Sequence, residues 1–171
     1  WKKNYNMIYL SLVIPCYNES PNLEKLFEKI KNLLNKSSNI EIIIVNNGST
    51  DNSEETIINS KLYKENKIKV LNIKENIGYG HGIMSGVKIA SGEFIGWCHA
   101  DLQTEPEDVY DAFMEFKEDL SNGRAIVKGL RIKRNLFDSF FTLAMSIFAS
   151  FVFQRMINDI NAQPKIFPKN F

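Results

Sequence analysis

The sequence predicts an α/β fold in which a mostly parallel β-sheet carries helices on both faces. Short apolar runs alternate with amphipathic stretches over about the first 130 residues, which is the pattern of repeated strand–helix–strand units. The strand-like runs are continuously apolar, as strands are when both of their faces are buried. With 171 residues, 44% of them hydrophobic, the chain is long enough to bury the core of one globular domain.

Five strands are predicted, because five short runs rich in β-branched and other apolar residues are bounded by turn-forming residues. They are Tyr9–Pro15, Ile40–Val45, Lys67–Ile73, Phe94–Cys98 and Ala125–Leu130.

Four helices are predicted between these strands. The first begins with Ser20 as its N-cap and Pro21 in its first turn, both favoured residues at those positions. Apolar residues then recur at spacings of three and four, which is typical of an amphipathic helix. The other helices begin near Asp51, near Gly78 and near Thr104, and the last of them ends at about Leu120.

The segment Leu136–Phe153 has 18 residues and a single charge, Asp138. Three interpretations remain open for it: a core helix, an amphipathic helix in the membrane interface, or a helix that spans the membrane. The basic cluster from Lys128 to Arg134 lies just upstream and favours the interface, because anionic lipid headgroups attract such clusters.

Charge and cysteine content limit the function classes. A formal net charge of +1 argues against a globally basic nucleic-acid-binding protein. Residues 124–171 carry a charge of +6 and residues 1–123 a charge of −5, so we expect two regions with different tasks. The chain has two cysteines, Cys16 and Cys98, with no CxxC motif and no metal-ligand spacing. A disulfide framework is therefore not expected, and a reducing compartment is the default. The chain begins at Trp1 and has no recognisable signal peptide, and we expect it to be a C-terminally truncated part of a longer protein.

The loops that follow the strands are the expected ligand site, because parallel α/β sheets bind ligands at the carboxyl ends of their strands. These loops contain four motifs: VIPCYNE over Val13–Glu19, VNNGSTD over Val45–Asp51, NIGYGHG over Asn76–Gly82, and HADLQ over His99–Gln103. Together they resemble the family-2 glycosyltransferases of the GT-A fold, a Rossmann-like α/β architecture. HADLQ resembles the D-A-D-L-Q of the dolichyl- and undecaprenyl-phosphate sugar synthases in that family. The resemblance covers about Leu12 to Phe167.

The resemblance implies a nucleotide-sugar donor, linked to UDP or GDP. Tyr17 offers a ring and a hydroxyl, and Glu19 can accept hydrogen bonds from ribose or base, with an acid at the start of a helix as its alternative interpretation. Asn47 stands where the family has an acid at the base or ribose, whereas Asn46-Asn47-Gly48 alone would be ordinary turn chemistry. The residues expected to bind the donor are Pro15, Tyr17, Asn18, Glu19, Asn47, Gly48, Ser49, Gly78, Gly80, Ala100 and Arg134.

The resemblance also implies a divalent cation, Mg²⁺ or Mn²⁺, that would bridge a carboxylate and the donor diphosphate. Asp101 is the expected ligand, and Gln103 matches a position that helps to hold the metal. His99 replaces the family's first carboxylate. It could bind Mn²⁺, hydrogen-bond a phosphate or the acceptor, or simply fill the loop.

The basic segment that follows the fifth strand implies the acceptor. In the resembling synthases arginines at this position hold a lipid phosphate, which points to Arg131 and Arg134 and to polyprenyl phosphate at a membrane surface. Asp159 would act as a base or orient such an arginine. The expected catalytic residues are thus Asp101, Arg131 and Asp159, in an inverting displacement.

The expected organisation is one catalytic domain over residues 1–171. Residues 1–123 would form its nucleotide and metal half, and residues 124–171 its acceptor half. The expected location is cytoplasmic, at the inner face of the cell membrane. Two alternatives remain: a transferase with a saccharide acceptor in cell-surface polysaccharide synthesis, and a non-catalytic nucleotide-binding module.

Overall fold

The computed structural model describes residues 9–123, 125–129 and 162–170, together with residues 143, 145–148, 150–152 and 154. The chain divides into two compact units, Trp1–Val127 with Pro164–Phe171, and Lys128–Gln163. Apart from Lys128, the sheet and the helices named below lie in the first unit.

The strands and helices alternate as expected. The strands are β1 (Leu10–Cys16), β2 (Ile40–Asn47), β3 (Lys69–Ile73), β4 (Phe94–Trp97), β5 (Val127–Lys128) and β6 (Lys165–Pro168). The helices are α1 (Ser20–Lys36), α2 (Ser53–Asn59), α3 (Lys61–Lys64), α4 (Tyr79–Ile89), α5 (Pro106–Glu115) and α6 (Lys117–Ser121).

The sheet has the strand order β3-β2-β1-β4-β6-β5. Strands β3, β2, β1 and β4 are mutually parallel, and β6 pairs antiparallel with β4. The carboxyl ends of β1, β2 and β4 therefore lie side by side. β1 and β2 are buried along their whole length, which explains their continuous apolar sequences. β3 is an edge strand with partly exposed residues, which explains its alternating pattern.

Two apolar layers cover the two faces of the sheet. One joins Leu12, Ile14 and Ile42 to the apolar sides of α1 and α5. The other joins Val13, Val45 and their neighbours to α4. These layers confirm the prediction of helices on both faces.

Several predicted boundaries differ from the structure. The N-cap of α1 is Glu19 rather than Ser20, and the Ser20 N–H donates to Asp51 Oδ2 over 3.1 Å. The helix predicted to run to about Leu120 is divided into α5 and α6, because Phe116 takes φ −105° and ψ 15°. The predicted strand Ala125–Leu130 is represented by β5, and Leu130 lies outside the described residues.

Strand β6 was not predicted from the sequence. It has only four residues and ends in Pro168, and a proline within a short run normally argues against a strand. It is a strand because it pairs antiparallel with β4, and this pairing cannot be recognised from its own four residues.

Within the segment Leu136–Phe153, residues 143, 145–148 and 150–152 are helical. Leu143, Ile147, Phe148 and Phe151 are exposed there, whereas Ser146 is buried. In the described part of the chain, no helix combines the length and the apolar character that crossing a membrane requires. Asp138 lies outside the described residues.

Candidate functional site

A cavity of about 200 Å³ lies at the carboxyl ends of β1, β2 and β4. Six of its lining residues were predicted from the sequence: Pro15, Tyr17, Glu19, Asn47, His99 and Ala100. Three further lining residues were not: Cys16, Asn76 and Tyr79. The predicted loops thus meet where the parallel strands end.

Tyr17 and Glu19 follow β1 directly. The Tyr17 side chain is 44% exposed. Glu19 is half-buried, its backbone N–H donates to Ser53 Oγ over 3.0 Å, and its Oε2 accepts a hydrogen bond from Asn22 Nδ2 over 2.6 Å. Glu19 therefore both begins α1 and borders the cavity, so the two interpretations of this residue are compatible.

Asn47 is the last residue of β2 and is 3% exposed. Its Nδ2 donates to Asn76 Oδ1 and to the Gly78 carbonyl, both over 3.2 Å. Asn76 Oδ1 also accepts from the Gly78 N–H over 2.9 Å. Asn47 Oδ1 is buried and has no hydrogen-bond partner among the described residues. The amide is therefore held in one orientation, with its two hydrogens committed to protein acceptors.

Asn18 joins the first loop to the second and is not among the residues that line the cavity. Its Oδ1 accepts from the Thr50 N–H over 2.8 Å and from the Asp51 N–H over 3.3 Å. Its own backbone N–H donates to Ser49 Oγ over 3.1 Å, and its φ is +55°. Asn18 and Ser49 thus hold the two loops in place.

Gly48 allows the second loop to approach the third closely. Its φ is +71°, and a Cβ atom there would lie 2.5 Å from the backbone nitrogen of Asn76. Any side chain at this position would push the two loops apart.

Asn46 has a local role as well. Its Oδ1 accepts from the Ser49 N–H over 3.2 Å, and its Nδ2 donates to Glu54 Oε2 over 3.4 Å. An aspartate at this position would face the Glu54 carboxylate, so an amide suits this neighbour better than an acid.

Gly78 and Gly80 lie at the start of α4. Gly78 has a φ of +127°, which a residue with a side chain rarely adopts. The space beside Gly80 is open to a Cβ atom. The backbone at this helix start can therefore be approached by another group.

Tyr79 and His99 form an aromatic pair at the cavity. Their rings are parallel within 3°, with centroids 4.8 Å apart, and Tyr79 Oη lies 3.0 Å from His99 Nε2. Burial, and after it the negative charge of neighbouring groups including Asp101, raises the pKa of Tyr79 well above its usual value. The phenol therefore stays protonated at neutral pH.

Asp101 lies in a tight turn that follows β4. Its Oδ1 accepts from the Gln103 N–H over 3.0 Å, and Leu102 between them has a φ of +61°. Ala100 is buried and Leu102 packs against the core, so the residues on both sides of Asp101 are held by packing. Gln103 follows Leu102 directly. A leucine at positive φ is strained, and such strain is found at functional sites.

The described residues contain no group of three or more His, Cys, Asp or Glu side chains able to hold a metal ion. The donor set of this loop is the Asp101 carboxylate, with the Gln103 amide and the His99 imidazole near it in sequence. These few groups suit a cation that takes some of its ligands from a bound diphosphate, and they are too few to hold a cation by themselves.

The two cysteines are free and buried. Burial, reinforced by the charge of Glu19, raises the pKa of Cys16 to about 12, and burial also raises the pKa of Cys98. Neither thiol forms a thiolate at neutral pH, so neither has the character of a nucleophile.

Three predicted residues lie outside the described part of the chain: Arg131, Arg134 and Asp159. A second groove of about 540 Å³ runs beside α1, α2 and α3, bordered by Phe27, Leu34 and Leu62 among others. It contains none of the predicted residues.

Sequence reasoning overlooked Asn76 and Tyr79 as members of the cavity wall. Both belong to the motif NIGYGHG, whose glycines indicated a turn but whose other residues carried no separate signal. Only the pairing of the third loop with Asn47 and His99 reveals their contribution.

Comparisons with known proteins identify the family of this chain. The family model described as glycosyl transferase family 2 matches residues 11–168. A dolichyl-phosphate beta-glucosyltransferase from Trichomonas vaginalis is 36% identical over 72% of this chain and 40% of its own length. A dolichol-phosphate mannosyltransferase from Pyrococcus furiosus is 33% identical over 72% of this chain and 35% of its own length. The chain thus spans well under half the length of these relatives.

The fold is also found in solved structures. A mannosyltransferase from Pyrobaculum calidifontis, solved with GDP-Man and Mn²⁺, aligns with a TM-score of 0.64 and 17% identity over 95% of this chain and 45% of its own length. This likeness confirms the predicted GT-A type of α/β fold. The family match over almost the whole sequence leads to one conclusion: the chain belongs to glycosyltransferase family 2.

Proposed function

We propose that this chain forms the donor-binding part of an enzyme that transfers a sugar from a nucleoside diphosphate to polyprenyl phosphate. The observation that carries the proposal is the cavity at the carboxyl ends of β1, β2 and β4. Three side chains border it: the exposed aromatic ring of Tyr17, the carboxylate of Glu19 and the fixed amide of Asn47. A nucleoside offers a ring to stack on and N–H and O–H groups to donate.

In this proposal Tyr17 and Asn47 contact the base, Glu19 accepts from ribose or base, and the backbone near Gly78 and Gly80 approaches the donor. Asn18, Gly48 and Ser49 contribute by holding the loops. Pro15 and Ala100 complete the wall.

Asp101 and Gln103 would hold a divalent cation, Mg²⁺ or Mn²⁺, next to the donor diphosphate. When bound, this ion would neutralise the negative charge that the leaving nucleoside diphosphate acquires. The relative from Pyrobaculum calidifontis was solved with GDP-Man and Mn²⁺, which supports this part of the proposal.

The acceptor proposal is supported by the names of two relatives, which act on dolichyl or dolichol phosphate. Arg131 and Arg134 would hold the lipid phosphate, and Asp159 would orient one of these arginines or serve as a base. A phosphate oxygen is already anionic, so the reaction needs positioning and charge neutralisation more than a strong base. A single displacement would invert the anomeric centre.

The membrane proposal rests on the exposed apolar side chains of the helical residues in 143–152. Leu143, Ile147 and Phe151 are 59%, 62% and 82% exposed. Exposed large apolar residues on one short helical stretch are the kind of surface that lies in a membrane interface. We propose that the enzyme lies at the inner face of the cell membrane, with these side chains contributing to its membrane contact.

The test is a transfer assay with the full-length protein, radiolabelled UDP- and GDP-sugars, Mn²⁺ and polyprenyl phosphate. We expect a labelled lipid product from at least one donor. Asp159→Ala separates the two acceptor classes, because a saccharide hydroxyl needs a base and a phosphate does not. We expect that variant only to weaken transfer to polyprenyl phosphate; product formed with a saccharide acceptor alone, and lost completely in that variant, would favour the saccharide alternative. No product and no donor hydrolysis from any donor would favour a non-catalytic nucleotide-binding module.

A further inference from the structure

Asp51 lies in the second loop, four residues after Asn47, and its carboxylate contacts the starts of two helices. Its Oδ2 accepts from the Ser20 N–H in the first turn of α1 over 3.1 Å. Its Oδ1 accepts from the Ser53 N–H at the start of α2 over 2.9 Å. The first N–H groups of a helix have no carbonyl partner inside that helix, so a carboxylate is favoured there. One side chain of the second loop therefore joins α1 to α2.

Ser53 extends this connection to Glu19. Ser53 is buried, and its Oγ accepts from the Glu19 N–H over 3.0 Å. Burial alone would raise the pKa of Asp51, but hydrogen bonds from Ser53 and Ser20 outweigh it and hold this pKa below its usual value of 3.8. Asp51 is therefore ionised at neutral pH, and both of its oxygens can accept hydrogen bonds at the same time.

Glu19 is the cavity residue whose position depends on these contacts. Its Oε2 accepts from Asn22 Nδ2 over 2.6 Å, and Asn22 lies in the first turn of α1. The Glu19 carboxylate is thus tied to α1, and α1 is tied through Ser20 to the second loop. Asn47 leads into that same loop and borders the same cavity as Glu19. The contacts of Asp51 therefore control how Glu19 and Asn47 lie relative to each other.

We propose that Asp51 is a positioning residue, which fixes the Glu19 carboxylate relative to Asn47 and so sets the fit of the nucleoside. This inference rests on the proposed function, because Glu19 and Asn47 are the groups proposed to contact ribose and base. Asp51 is not among the residues that line the cavity, so it acts through Glu19. An amide in its place has a single acceptor oxygen, and its NH₂ group would face one of the two N–H donors. Asp51→Asn should therefore release one helix start while it keeps the size of the side chain.

A double-mutant cycle tests this inference, because the two changes are coupled only if Asp51 acts through Glu19. Calorimetry with UDP and with GDP, each with Mg²⁺, measures the affinity of the wild type, Asp51→Asn, Glu19→Ala and the double variant. We expect Asp51→Asn to bind the nucleotide roughly 10-fold more weakly, as for the loss of a hydrogen bond to a charged group. In the Glu19→Ala background the same change should cost little further affinity. Glu55→Gln, at an exposed acid in the first turn of α2, is the matched control and should bind like the wild type.

An equal loss of affinity in both backgrounds, or unchanged affinity in Asp51→Asn, would overturn the proposal. Ser53→Ala provides a second variant, because it removes the acceptor of the Glu19 N–H and leaves the Asp51 carboxylate in place. Its effect on affinity should also disappear in the Glu19→Ala background. An effect of Ser53→Ala that is the same in both backgrounds would contradict the proposal.

Amide hydrogen exchange measured by NMR separates this inference from the proposed function. We expect the N–H groups of Glu19 and Ser20 to exchange faster in Asp51→Asn than in the wild type. Unchanged exchange at both amides would overturn the positioning role. If neither nucleotide binds the wild type, the proposed function is wrong, while the exchange rates still decide whether Asp51 holds the start of α1.

Discussion

Asn47 shows how a single amide organises the candidate donor site. Its Nδ2 group donates to Asn76 Oδ1 and to the Gly78 carbonyl, so it connects the end of β2 to the start of α4. The acid that the family motif has at this position carries no hydrogen for either acceptor. Asn47 is therefore adapted to its neighbours in this chain, and the loss of the charge does not by itself argue for loss of the site.

Asn47→Asp should lower the stability of the folded protein, even though it restores the residue of the family motif. Asn76 Oδ1 and the Gly78 carbonyl would each lose a hydrogen bond from residue 47, and a buried carboxylate would face these two oxygens, which costs about 1 to 3 kcal/mol of unfolding free energy. Denaturant unfolding measures this cost, and calorimetry with UDP or GDP measures the accompanying loss of affinity. Asn76→Asp, which keeps the accepting oxygen, is the control and should be tolerated better. A stable Asn47→Asp protein with tighter nucleotide binding would contradict this account.

From the sequence, several residues that border the cavity could be predicted. The contacts that each of these side chains makes were harder to predict. Tyr17, Glu19, Asn47 and His99 were predicted and lie there. Asn18 was also predicted, but its side chain is used to join two loops, because it reaches Thr50 and Asp51. Such contacts link residues about 30 positions apart, and no local pattern encodes them.

At the scale of elements, α4 is the helix whose packing matters most for the site, because it carries Tyr79 at its first turn. It lies on β1 and β2 with a glycine at the contact. A Cβ atom on Gly86 would lie 2.4 Å from Val13 Cγ1 and 2.9 Å from Val45 Cγ2, whereas the space beside Gly80 is open.

Gly86→Ala and Gly80→Ala form a matched pair on this helix. Gly86→Ala should lower the unfolding free energy by about 1 to 3 kcal/mol, because the helix must move away from the sheet. Gly80→Ala should leave it unchanged or raise it by up to about 1 kcal/mol, because alanine favours the helix. Thermal and denaturant unfolding of both variants provide the comparison. Equal stability of the two variants would show that α4 does not pack on the sheet in this way.

The elements that the sequence predicted well are the ones with strong local patterns. β1, β2 and α1 have long apolar or amphipathic signals, and the structure has them within a few residues of the predicted bounds. β6 and the interruption at Phe116 lack such signals. β6 depends on its pairing with β4, and a partner so distant in sequence cannot be inferred from four residues.

At the scale of the whole molecule, a buried carboxylate joins several strands near their amino ends. Glu41 in β2 is 6% exposed and accepts hydrogen bonds from Ser11 Oγ in β1, from Ser91 and from Lys69 in β3. Burial alone would raise the pKa of Glu41, but the hydrogen bonds from Lys69, Ser11 and Ser91 outweigh it and hold this pKa below its usual value of 4.5.

This cluster predicts a loss of stability in acid. Because the pKa is lower in the folded state than in the unfolded state, the stabilising effect is present above pH 4.5 and is lost as the pH falls through the folded value. Glu41→Gln should therefore lower the unfolding free energy at neutral pH by roughly 1 to 3 kcal/mol. The difference from the wild type should shrink in acid. A difference that stays constant over this range of pH would contradict the role of the charge.

The exposed apolar residues of the second unit predict binding to lipid. Phe148 and Phe151 are 66% and 82% exposed. Replacement of both by serine should reduce flotation of the full-length protein with anionic vesicles, because the buried apolar area in the interface becomes smaller. Met114→Ser, at an exposed residue of α5, is the control. Equal flotation of all three proteins would mean that these phenylalanines do not contact the membrane.

The central claim is that a nucleoside diphosphate binds at the carboxyl ends of β1, β2 and β4 with the help of Asp101. Calorimetric titration with UDP and GDP in the presence of Mn²⁺ tests it most directly, with Asp101→Asn compared against Asp111→Asn, an exposed acid of α5. We expect the wild type and Asp111→Asn to bind one of the nucleotides equally well. Asp101→Asn should bind it at least about 10-fold more weakly, since even groups that only support metal ligands have effects of that size. Equal affinity of the wild type and Asp101→Asn, or no binding of either nucleotide by the wild type, would contradict the claim.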